Sequence, residues 1–217
     1  MNRKKQRVVI VDDHPMFRER LSQLINHELD MELCGEADDA HEGLRLIRET
    51  APDLAIVDIT LKGSSGLGLI KSIRELSIAM PVLVLSMHEE SLYAERALRA
   101  GASGYITKLQ ATEEVLSAIR RVLAGEIYLS EKMTTSYLKS LSAVGARSIA
   151  PLDRLTDREL QVLEFIGRGY TVRAIAEALK LGVATVDTYR ARIKEKMAFR
   201  SGLELQHFAI RWVRDRE

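Results

Sequence analysis

The chain has 217 residues, enough for one large domain or two small ones. Hydrophobic residues make up 46% and charged residues 29%, so a soluble protein with a buried core is expected. Lys and Arg number 32 against 31 Asp and Glu; the net charge of +1 excludes a histone-like polycation but not a basic patch on one part. No apolar run approaches the roughly 18 residues of a membrane helix. The apolar run at 8–11 is too short for a signal peptide. The single cysteine, Cys34, excludes an internal disulfide and a Cys-based zinc cluster. A cytoplasmic protein without a membrane partner is expected.

Up to about Gly125, short β-branched runs at 8–11, 31–35, 54–57, 82–85 and 105–107 alternate with amphipathic stretches at 17–29, 43–49, 67–76, 92–100 and 113–124. That alternation predicts a parallel sheet covered by helices on both faces. After Leu152 the pattern is helical only. The stretch between is rich in Ser, Thr, Ala and Gly and ends Ala150-Pro151, which predicts a linker with a helical turn or two around 133–141. From Asp153 onward there are 13 Lys and Arg against 10 Asp and Glu, so a basic C-terminal part follows an acidic N-terminal one. The expected organisation is a first domain over 1–125, a linker over 126–152 and a second domain over 153–217.

In an open parallel sheet, ligands bind outside the carboxyl ends of the strands, where strand order reverses. The first run ends Ile10-Val11-Asp12-Asp13 and the third ends Ile56-Val57-Asp58. A strand order of 2-1-3-4-5 brings these three carboxylates into one crevice. Clustered carboxylates raise one another's pKa unless a cation sits among them, and oxygen donors with room for waters suit Mg²⁺. The fourth run adds Ser86 at the same rim and the fifth adds Lys108. Any one of these acids alone reads as a solvated strand end. Together they make a site for a phosphoryl group on Asp58, with the metal and Lys108 on its oxygens.

On Asp12-Asp13, Val57-Asp58-Ile59, Ser86 and Gly101-Ala102-Ser103-Gly104-Tyr105-Ile106-Thr107-Lys108, residues 7–125 resemble a response-regulator receiver domain. The resemblance implies a flavodoxin-like (βα)5 fold. It also implies that Asp58 accepts phosphate from a histidine kinase and that Asp12, Asp13, Asp58 and the backbone carbonyl of Thr60 bind Mg²⁺. Ser86 and Tyr105 become a switch pair, and the face around the fourth and fifth helices mediates dimerisation. Two positions depart from the family. Lys62 stands four residues after the acceptor where proline is common, which loosens the loop and brings a cation near the site or into solvent. Leu109 follows Lys108 where a cis-proline is common, and a cis bond there would cost about 3–4 kcal/mol. Neither change removes a reacting group. His14, before Pro15, reads as a surface or helix-capping residue rather than a metal ligand, and Cys34 as a small buried hydrophobe. Gly63, Gly66 and Gly68 lack the spacing of a P-loop.

In the second part, Thr156-Asp157-Arg158-Glu159 predicts a capping box. A helix carrying Leu160, Leu163 and Ile166 follows, then a short helix capped by Thr171, a tight Lys180-Leu181-Gly182 turn, and a third helix over 183–197. A second capping box, Ser201 with Glu204, opens a fourth helix. Short helix, tight turn and longer helix form a helix-turn-helix arrangement. The pattern Leu155-Thr156-x-Arg158-Glu159, Ile175-Ala176-x-x-Leu179 and Thr185-Val186-x-Thr188-Tyr189-Arg190 resembles the LuxR-type DNA-binding domain over about 152–212. The whole chain resembles a NarL/FixJ-type response regulator, which implies double-stranded DNA, a histidine kinase, a second copy of the chain and RNA polymerase as partners, and no enzymatic output.

With Val186, Ile193 and Met197 inward, the 100° step points Ala184, Asp187, Thr188, Ala191 and Arg192 outward. Thr185 lies beside them, Arg190 and Lys194 flank that surface, and Arg173 adds charge from the preceding helix. Asp187 stands where the family often has lysine. It fits three readings: accepting from a cytosine amino group, orienting Arg190 at i+3, or only repelling phosphate. Thr188 suits a thymine methyl. The small, partly acidic reading face leaves a second function open, a signalling adaptor whose helical domain binds a protein; a steep fall of DNA affinity with salt would argue against it.

Overall fold

The run at 8–11 is 0% exposed on both faces, as a central strand of a parallel sheet requires. A computed structural model describes residues 4–110, 112–142 and 151–215. It divides into two compact units, Met1–Ser142 and Ala143–Glu217. In chain order the first contains β1 (Gln6–Val11), α1 (Pro15–His27), β2 (Met31–Ala37), α2 (Ala40–Thr50), β3 (Leu54–Val57), β4 (Thr60–Leu61), β5 (Ser64–Ser65), α3 (Gly66–Glu75), β6 (Val82–Ser86), α4 (Glu90–Ala100), β7 (Gly104–Thr107), α5 (Thr112–Leu123) and α6 (Glu131–Ser142). The parallel sheet runs β2-β1-β3-β6-β7. This is the expected order, with β6 and β7 as the fourth and fifth long strands. Val8, Ile10, Leu54, Ile56, Leu83, Leu85 and Ile106 form a core with Leu21 and Ile25 of α1 and Val115, Ile119 and Val122 of α5. The alternate residues Val9, Val11, Val57 and Val84 are equally buried on the other face.

The two short strands were not foreseen. They pair antiparallel across a Lys62-Gly63 turn, Thr60 opposite Ser65 and Leu61 opposite Ser64, with Gly63 at φ +64. Their ladder orders the loop that lacks proline. Lys62 Nζ lies 3.6 Å from Asp38 Oδ2, and the lysine side chain is largely exposed. No cis peptide bond occurs among the described residues, so Lys108-Leu109 is trans.

Part of the expected linker packs on the first unit. Tyr105 N–H donates to the Tyr128 carbonyl (2.9 Å) and Tyr128 N–H to the Ser103 carbonyl (3.1 Å), forming a parallel bridge at Gly104–Tyr128. The edge strand β7 would otherwise leave these backbone groups without a ladder partner. Ser130 N–H then donates to Glu90 Oε1 of α4 at 2.8 Å, and α6 follows. Residues 143–150 of the expected linker lie outside the described residues.

In the second unit a 3₁₀ turn (Pro151–Arg154) precedes α7 (Asp157–Gly167), α8 (Val172–Ala178), α9 (Val183–Lys196) and α10 (Gly202–Arg214). The first capping box is complete: Thr156 Oγ1 accepts from Glu159 N–H (3.3 Å) and Glu159 Oε2 from Thr156 N–H (2.7 Å). The second is half as expected. Ser201 Oγ accepts from Glu204 N–H (3.1 Å), but Glu204 Oε2 reaches past Ser201 to Arg200 N–H (2.6 Å). In the turn before α9 the left-handed residue is Lys180 (φ +53), while Gly182 (φ −73) caps the helix. Leu160, Leu163, Ile175, Val186, Ile193, Leu205 and Ala209 form the buried interior, and Met197 is half-buried.

Candidate functional site

The sheet ladder runs on into the acids. Asp12 N–H donates to the Ala37 carbonyl (3.0 Å) and Asp58 N–H to the Val11 carbonyl (2.9 Å). Asp12, Asp13 and Asp58 are therefore held side by side, 2%, 5% and 2% exposed. Lys108 is carried in from β7, its N–H donating to the Ser86 carbonyl (2.8 Å). Its ammonium lies 2.5 Å from Asp12 Oδ2 and 2.7 Å from Asp58 Oδ2. Burial pushes the Asp58 carboxyl up. Hydrogen bonding to His14, the charge and hydrogen bond of Lys108, and a hydrogen bond from Ser86 outweigh burial and hold it below the usual carboxylate range. Asp58 is thus an ionised group at neutral pH.

His14 does more than the sequence indicates. It occupies the N-cap of α1 with Pro15 as the first helical residue, yet its side chain makes no cap bond. Instead Nδ1 lies 3.2 Å from Asp12 Oδ1, 2.9 Å from Asp13 Oδ1 and 3.6 Å from Asp58 Oδ2. Those carboxylates, Asp12 foremost, push its pKa up to about 11. The clue available was position: a titratable residue directly after two strand-end acids shares their crevice. Asp12, Asp13 and Asp58 each offer a carboxylate oxygen within 4.8 Å of the others, a set that fits a divalent cation, and His14 Nδ1 lies within the same distance. Thr60 lies on β4, its N–H 3.4 Å from Asp58 Oδ1. Ser86 and Tyr105 are both 0% exposed, and the Tyr105 hydroxyl donates inward to the His88 carbonyl (2.8 Å). Gly66, which from the sequence only lacks the spacing of a P-loop, has a packing role: a β-carbon there would fall 1.8 Å from the Asp58 carbonyl oxygen. Only glycine lets α3 start so close to the Asp58 backbone.

On α9, Ala184, Thr185, Asp187, Thr188, Ala191 and Arg192 are exposed, as is Arg173 on α8. Thr188 Oγ1 donates back to the Ala184 carbonyl (2.9 Å). Asp187 Oδ1 accepts from Arg190 Nη1 at 2.8 Å. Arg190 and Lys194 are half-buried and line a cleft with Gly202 and Leu205 of α10. Below this surface, Lys196 pairs with Glu159 Oε2 (2.6 Å). Burial pushes the Glu159 carboxyl up, but the bonds from Lys196 and Thr156 bring it below its usual value.

Residues 8–120 match the response regulator receiver domain family, and residues 153–209 match the luxR family of bacterial regulatory proteins. Response regulator GacA of Pseudomonas aeruginosa is 34% identical over 206 residues, covering 94% of this chain and 95% of its own. Oxygen regulatory protein NreC of Staphylococcus aureus is 34% identical over 210 residues, covering 94% and 97%. Among solved structures, a LuxR-family two-component response regulator from Aurantimonas sp. SI85-9A1 superposes with a TM-score of 0.59 at 37% identity, covering 64% of this chain and 99% of that one. RcsB of Salmonella enterica serovar Typhimurium, bound to promoter rprA, has a TM-score of 0.60 at 20% identity and covers 95% and 99%, a likeness of fold. No described helix is long and apolar enough to cross a membrane. The chain belongs to the two-component response regulators, transcriptional regulators rather than enzymes, in which a receiver domain addressed by a histidine kinase is joined to a LuxR-type DNA-binding domain.

Proposed function

We propose that Asp58 is the phospho-acceptor and that its phosphorylation switches sequence-specific DNA binding. The observation that carries this reading is Lys108 Nζ bridging the buried Asp58 and Asp12 carboxylates. An Asp58 oxygen attacks the phosphorus of a phosphohistidine protonated on its other ring nitrogen; the O–P bond forms as the P–N bond breaks, and the electron pair leaves with the now neutral imidazole. Lys108 moves its charge onto a phosphoryl oxygen and Ser86 donates to another, with Tyr105 packed behind. Asp12, Asp13, Asp58 and the Thr60 carbonyl are the residues that would hold Mg²⁺, whose charge neutralises the transferring oxygens.

Phosphorylation favours a homodimer on two half-sites about one helical turn apart. The major groove receives Ala184, Thr185, Asp187, Thr188, Ala191 and Arg192, while Arg173, Arg190 and Lys194 reach the backbone or the groove edge. Back-bonding of the Thr188 hydroxyl leaves its methyl for a thymine methyl, and the Asp187–Arg190 pair favours an orienting role for Asp187. The cytoplasm is the compartment, and RNA polymerase is a further partner. Asp58→Asn is expected to abolish labelling by a small phosphodonor; continued labelling of that variant overturns the assignment. A genomic-fragment selection with and without Mg²⁺ and beryllium fluoride tests the switch. Enrichment of a shared inverted repeat, stronger with the mimic, is the expected result.

A further inference from the structure

His88 stands two residues beyond Ser86 and is 9% exposed. Its backbone serves the switch pair: its N–H donates to Ser86 Oγ (3.3 Å) and its carbonyl accepts from the Tyr105 hydroxyl (2.8 Å). Its ring has different neighbours. Nε2 is hydrogen-bonded to Thr60 Oγ1 at 3.0 Å, and the ring lies against Tyr93 of α4, centroids 4.6 Å apart. Thr60 itself reaches Asp58 through its N–H, and Tyr93 is 0% exposed. Direct contacts therefore run from Asp58 through Thr60 and the His88 ring to α4, while the His88 backbone joins Ser86 to Tyr105 of β7.

We propose that the His88 imidazole is a positioning residue that carries a change at the acceptor loop to α4, in parallel with Ser86 and Tyr105. The proposal rests on Asp58 being the acceptor. A phosphoryl group there brings new acceptor oxygens beside the Thr60 N–H and shifts its hydrogen bonding. The His88 ring is largely buried, so a broken contact with Thr60 would leave Nε2 poorly solvated, and the ring follows Thr60 rather than losing it. Close packing on a fully buried Tyr93 passes the displacement to the helix instead of absorbing it in free volume.

A route of this kind stands only on measured coupling. The full chain is studied with Mg²⁺ and beryllium fluoride, fluorine NMR reporting binding and hydrogen exchange reporting α4 and β7 separately. Thr60→Val removes the hydroxyl at constant shape, Thr60→Ser keeps it, and His88→Phe keeps the stack without the hydrogen bond. His88→Phe, outside the metal-binding set, is expected to bind the mimic as the wild type does, and the Thr60 variants are read only at mimic concentrations that saturate them. In Thr60→Val and His88→Phe the mimic-induced change in α4 exchange falls about fivefold, a typical coupling magnitude, while β7 responds as in the wild type. Thr60→Ser retains the α4 response. A full α4 response in Thr60→Val or His88→Phe, an equal loss at β7, or failure of His88→Phe to bind the mimic overturns the proposal. Failure of the wild type to bind would instead remove the acceptor reading and this route with it.

Discussion

The two functional regions of this chain are built on opposite principles. At the carboxyl ends of β1, β3 and β7, three carboxylates and an ammonium are almost wholly removed from water and hold one another in place. On α9 the candidate reading residues are exposed, and their fixed contacts are local ones such as Asp187 with Arg190. Buried charges interact strongly and tolerate little error, so a single change in the pocket spreads to several groups. Exposed side chains couple weakly beyond such local pairs, so outside them each contributes a separable share of affinity. The proposed phosphoryl transfer would use the first arrangement, and a surface that meets DNA the second.

The sharpest way to break that contrast is Lys108→Met. It leaves Asp12 and Asp58 buried with His14 as the nearest remaining cation, and it is expected to cost about 3–5 kcal/mol in metal-free buffer. Urea unfolding with and without Mg²⁺ checks it, and added Mg²⁺ should recover part of the loss. Gly66→Ala comes next: the 1.8 Å approach to the Asp58 carbonyl forces α3 to shift, costing about 3 kcal/mol of unfolding free energy. At the other region, Arg190→Ala is expected to weaken operator binding by about 1–3 kcal/mol without changing the thermal midpoint. Asp187→Ala should lose less, and the double variant should bind like Arg190→Ala, because Asp187 acts through Arg190. Additive losses in a titration at fixed salt would assign Asp187 a contact of its own.

The smallest effect tests Glu159, a buried carboxylate of the DNA-binding unit paired with Lys196 of α9. Because its pairing holds the Glu159 carboxyl below its usual value of 4.5, the stability it contributes is present above that value and is lost as pH falls through the folded-state pKa. Wild type should exceed Glu159→Gln by about 1–2 kcal/mol at pH 7. The gap should close below about pH 4.5. A gap that persists there would place its origin in packing rather than charge.

Much of this was legible in the chain itself. The runs at 8–11 and 54–57, apolar at every position, announce central strands, and acids directly after them announce a strand-end site. Thr156 with Glu159, and Thr171 before α8, mark helix starts by local hydrogen-bond chemistry. These features depend on neighbours within a few positions, so sequence alone determined the alternation of strands and helices, the helix-turn-helix pattern and the identity of the acids. Tertiary structure decided what depends on distant segments meeting. It turned His14 from a helix cap into a member of the charged pocket, because Asp58 arrives beside it from β3. It made Gly66 indispensable through the nearness of the Asp58 carbonyl. It drew Tyr128 onto β7, where an edge strand had backbone groups to satisfy, and set His88 between Thr60 and Tyr93. Periodicity fixes which face a residue occupies, but only the folded sheet and its covering helices fix what stands opposite.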